Sequence, residues 1–137
     1  MNNTLLISKM MAEHIVSFYQ TIHLMNITQN RKDLKLMLAF REDFESSASY
    51  SWRDIHKSAF GGIAWDAPES PLKAELTKIY SETLSVEEQI ALFFEANRPA
   101  ICAEVMDCMV EEGYENFAVI AGKDHLVICS DVQGCRD

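Results

Sequence analysis

The period of the apolar residues changes once along the chain, near Gly113. Before it they recur mainly at helical spacing; after it they alternate, with β-branched residues on both sides of Ala121-Gly122-Lys123-Asp124. A helix exposes a face every 3.6 residues and a strand every two, so this change constrains the fold class more than any other feature. It predicts an α+β chain, mainly α. About six short helices pack with a C-terminal β-hairpin at roughly 114–121 and 125–131, turning at Gly122-Lys123. At 137 residues the length fits one compact domain over 1–137, helical over 1–112 with the hairpin in 113–137.

Start and stop signals divide the helical part. Asn3 or Thr4 caps a first helix running to about Leu24. Its apolar stripe of Leu6, Met10, Ile15, Phe18 and Ile22 is widened by Leu5, Met11, Val16 and Tyr19. Asn30 with Asp33 reads as a second start. The run that follows is ambiguous: Leu34, Leu36, Leu38 and Phe40 alternate as in a strand. The run lacks β-branched residues, however, and Leu, Met, Ala and Lys favour helix, so helix is the expectation over 34–44. Ser51 with Asp54 resembles a capping box, and Gly61 can end a short helix from Trp52 to Phe60. The stretch Gly61–Pro71 is rich in breakers and reads as a loop. Ser70-Pro71 opens a helix with Leu72, Leu76, Ile79 and Tyr80 inward. Ser85 with Glu88 is the clearest capping box and precedes Ile90, Phe93 and Phe94. Pro99 ends that helix or opens the next one, in which Ile101, Val105 and Met109 face inward before Gly113 stops it.

Charge is distributed as unevenly as periodicity. The net charge is −9, yet residues 1–80 hold nine acidic and nine basic side chains. The excess belongs to residues 81–137, where twelve carboxylates meet only Arg98, Lys123 and Arg136. Glu104, Asp107 and Glu111 lie at i, i+3 and i+7, on one helix face turned away from Ile101, Val105 and Met109. Glu88 and Glu95 form a second acidic pair on the preceding helix. A solvated face that keeps the chain soluble accounts for such stripes. So does a docking face for a basic partner, with Glu104, Asp107 and Glu111 carrying the contact and Glu88 and Glu95 supporting it. Trp52 and Trp65, the only two tryptophans, flank the breaker-rich loop with Tyr50 and Phe60. They form either a small core or an interface anchor.

The same charge disfavours direct nucleic-acid binding and anionic membranes. Arg31, Lys32, Lys35 and Arg41 are the one basic cluster, and Asp33, Glu42 and Asp43 interleave with it, as on a mixed surface. No stretch is long and apolar enough to span a bilayer, and no secretory signal is legible, so a cytoplasmic protein is expected.

Chemistry is sparsely signalled. Cys102, Cys108, Cys129 and Cys135 read as free thiols in that compartment, and their six-residue spacing is wider than the usual zinc pairs. His125 and Cys129, four apart on a strand, lie roughly 13 Å from each other, too far for a nucleophile–base pair. His14, His23 and His56 read as structural. Phosphate-binding glycine loops, a nucleophile elbow and metalloprotease motifs are lacking. The expectation is therefore a non-enzymatic protein without cofactor or metal, binding a basic protein partner, either a nucleic-acid-binding protein or a toxin or effector. It would inhibit that partner by electrostatic and steric occupation, as a phage-encoded counter-defence or immunity-type protein would. An acidic secretion chaperone or adaptor, dimeric and gripping through apolar surface, is the first alternative. A small enzyme using Cys or His is the second.

Overall fold

The computed structural model describes residues 3–28, 35–41, 49–52, 54–55 and 71–129, with side chains over 26–28 left aside. Among these, four helices pack with a four-stranded sheet. In chain order they are α1 (Asn3–Thr28), β1 (Lys35–Ala39), β2 (Ser49–Ser51), α2 (Pro71–Thr77), α3 (Val86–Ala96), α4 (Arg98–Glu111), β3 (Ala118–Ala121) and β4 (His125–Cys129). The mixed, mainly helical class agrees with the sequence, but the described helices number four rather than about six.

The largest departure is β1. The segment expected to be helical is a central strand in a sheet of order β2-β1-β4-β3. It pairs antiparallel with β4, Leu36 against Ile128 and Leu38 against Leu126, and parallel with β2. Leu36 and Leu38 are buried in the core while Lys35 is exposed, so the alternation decided the outcome over intrinsic propensity. The hairpin is therefore half of a larger sheet. Its first strand is shorter than 114–121: Tyr114 and Phe117 precede β3 and pack against the core from the loop, while 130 and 131 of the second lie outside the described residues. The turn sits one residue later than expected. Gly122 N–H donates to the His125 carbonyl at 2.8 Å, which leaves Lys123 and Asp124 at its centre. A Cβ on Gly122 would lie 2.1 Å from the His125 ring, so any larger residue there requires the ring to move.

The capping signals at Ser85 and at Ser51 hold, whereas the start read at Asn30 precedes a strand. Ser85 Oγ accepts the Glu88 N–H at 3.1 Å and opens α3, whose Ile90, Phe93 and Phe94 are buried. Ser51 and Asp54 exchange bonds: the Asp54 carboxylate accepts Ser51 N–H at 2.8 Å. Trp52, Asp54 and Ile55 are helical, and the rest of the expected helix to Phe60 lies outside the described residues. So do Asn30, Asp33, residues 61–70 of the expected loop, and Cys135. Pro99 stands in the first turn of α4, which ends in a Schellman motif. Tyr114 N–H donates to the Met109 carbonyl, Gly113 N–H donates to that of Val110, and Gly113 takes φ +93°.

One core cluster joins α1, β1, α2, α3, α4 and β4. α1 packs most extensively on α4. It buries Ile7, Met11, Ile15, Val16 and Tyr19 but leaves Leu5 and Leu6 exposed, narrowing the expected stripe. Ile79, expected inward, is exposed beyond the end of α2. No helix among the described residues is long and apolar enough to cross a membrane.

Candidate functional site

α4 turns Ile101, Val105 and Met109 into the core, each fully buried. That phase fixes Glu104, Asp107 and Glu111 on one side of the helix, where they face α1. Together with Glu13, Lys9, Ala12 and Cys108 they line a groove of about 240 Å³ between the two helices. Three sequence-marked carboxylates thus converge, and α1 adds a fourth. Among the described residues, Lys9 is the one basic side chain in the lining. The Glu13, Lys9 and Ala12 contribution was not legible in the sequence, because periodicity assigns each helix a face but not a neighbour.

The groove's field reaches Cys108. Burial pushes its thiol up from the ordinary value, and Glu112, Glu111, Glu13 and Glu104 push it further. The thiol stays protonated and weakly nucleophilic at neutral pH. Cys102 is raised by burial as well, with Arg98 opposing. Both are free thiols, as expected. Cys129 is not: it is disulfide-bonded, which corrects the reading of four free thiols. Among the described residues no group of three His, Cys, Asp or Glu side chains is placed to hold a metal ion.

Glu88 and Glu95 lie elsewhere, on α3, and meet a cation of the chain itself. Arg41, just beyond β1, forms an ion pair with Glu88 and reaches Glu95 at 3.6 Å. The Glu88 hydrogen bond is the largest influence raising the Arg41 pKa, and burial opposes it. Arg41 follows Phe40 in the chain, and the Phe40 ring stacks on Phe94 with centroids 3.9 Å apart. This pair of carboxylates therefore ties the sheet to α3 and is partly neutralised.

Trp52 is 2% exposed and belongs to the core cluster, with its ring edge-to-face against His14 at 6.0 Å. Its indole is inside the fold, so of the two readings of Trp52 the core member stands and the surface anchor does not. Trp65 lies outside the described residues. His125 contacts the adjacent Asp124 at 3.3 Å and lies over Gly122, while His23 Nδ1 meets the Tyr114 hydroxyl at 3.1 Å. No protein-family model, curated protein or solved structure matches the chain.

Proposed function

We propose that the protein is a small acidic inhibitor that works without catalysis, by occupying the basic surface of a partner protein. The observation that carries this reading is the convergence of Glu104, Asp107 and Glu111 with Glu13 on one groove, with Lys9 as the only cation among its described lining residues. Such a face attracts Lys and Arg side chains, speeds encounter and gives binding that salt weakens. A nucleic-acid-binding protein or a basic toxin or effector has the surface it would fit, and counter-defence and immunity-type inhibitors act in this manner. Glu88 and Glu95 contribute less, because Arg41 already meets them. The test is capture from lysate of the natural host with the wild-type protein and with Glu104→Gln/Asp107→Asn/Glu111→Gln, washed at about 0.1 M and then about 0.5 M salt. The expected result is a basic protein held by the wild type, released by the higher salt and missing from the variant. A partner that resists the salt and binds the variant equally would overturn the reading in favour of an apolar holder.

A further inference from the structure

α4 carries a second exposed ridge that folding does not require. Ala103, Met106 and Val110 repeat the i, i+3, i+7 spacing of Glu104, Asp107 and Glu111 one residue earlier, and all three are exposed, Val110 by 62%. At about 100° per residue this apolar ridge is centred roughly 130° from the buried stripe and roughly 100° from the acidic one. A surface helix needs one apolar stripe, and Ile101, Val105 and Met109 supply it. Single exposed apolar side chains are ordinary. Here they are aligned over two turns and bordered along their length by carboxylates, on a helix whose one basic residue is Arg98 at its start.

We propose that the two ridges together receive an amphipathic, basic helix of the partner protein. Its apolar face lies on Met106 and Val110, and its Lys or Arg flank meets Glu104, Asp107 and Glu111. The inference rests on the inhibitor reading above and specifies the partner's chemistry. Charge complementarity selects this occupant. A second copy of the chain would set carboxylates against carboxylates. A purely basic extended segment would leave Met106 and Val110 in water. A helix laid along α4 uses both ridges, in the manner of helix-in-groove recognition. The ridge spans about 10 Å, so two to three turns of the partner are engaged.

The test uses two synthetic Leu/Lys peptides of about 14 residues and identical composition. One gathers its leucines on a helical face; the other disperses them. Each is titrated by fluorescence anisotropy against the full chain, against Met106→Ser/Val110→Ser and against the triple carboxylate variant, with folding of each checked by circular dichroism. The amphipathic peptide is expected to bind the wild type at least roughly tenfold more tightly than its isomer, the scale of burying one or two apolar side chains. That preference should vanish in the Met106/Val110 variant, and both peptides should weaken against the carboxylate variant. Equal binding of the two peptides, or a preference that survives the loss of Met106 and Val110, overturns the helix proposal and leaves the acidic face standing. Binding that is undetectable, or indifferent to the carboxylates, overturns both.

Discussion

Cys108 reports the field of the groove at the scale of a single residue. Its thiol is raised first by burial and then by Glu112, Glu111, Glu13 and Glu104. Because the native value lies above the unfolded one, the folded state holds this proton more firmly. Stability is therefore insensitive to the thiol at low pH and falls as pH climbs from the unfolded thiol range through the raised native value. The same raised value slows alkylation, since the thiolate is the reactive species. In a Cys102→Ser background, iodoacetamide should modify Cys108 slowly, with a pH midpoint above that of a free thiol. Glu104→Gln/Glu111→Gln should lower that midpoint and speed the reaction several-fold at fixed pH. An unchanged rate would mean that these carboxylates do not face the sulfur. Trp52 is the residue whose role the sequence left open between core and interface, and the fold places it in the core. A tryptophan beside a loop is equally consistent with a surface anchor and a core member, and only the docking of α1, which sets His14 against its ring, separates them.

At the scale of elements, capping was legible and strand formation was not. Ser85 satisfies an otherwise orphaned N–H in the first turn of α3, and its side chain does so with residues local in sequence. Ser85→Ala should cost about 1 kcal/mol, read as a lower denaturant midpoint at constant m. A loss near zero would mean that water replaces the hydroxyl. β1 had no such local signal. Its Leu, Met, Ala and Lys side chains lean toward helix, and the partners that make it a strand are β4, about ninety positions later, and β2. Only its alternation pointed to the outcome, and Leu36 and Leu38 realise that alternation as two buried side chains in a central strand. α4 shows the complementary case: the period of Ile101, Val105 and Met109 gave its phase, and hence its acidic face, directly.

For the molecule as a whole, the uneven charge distribution is the property that sequence and structure share most fully. Residues 81–137 carry the net −9, and the fold gathers part of it on the α1–α4 groove while Arg41 offsets part of it on α3. Like charges at helical spacing cost a few tenths of a kcal/mol per pair. Neutralising Glu104, Asp107 and Glu111 should accordingly leave the melting temperature unchanged or raise it by about 1–3 °C by calorimetry. A large fall would show that these carboxylates hold the fold together, and the docking face would lose its support. What the sequence could not supply was which helix lies opposite α4, since charge and period are properties of one segment and a groove belongs to two. The sheet order has a consequence for synthesis. β1 sits between β2 and β4 and cannot acquire its β4 neighbour until the ribosome has made some ninety further residues. At roughly 5–20 residues per second that is a wait of roughly 5–18 s. Throughout it the nascent chain carries an alternating Leu36-Met37-Leu38 strand with one edge open, to be closed by nearly the last described residues to emerge.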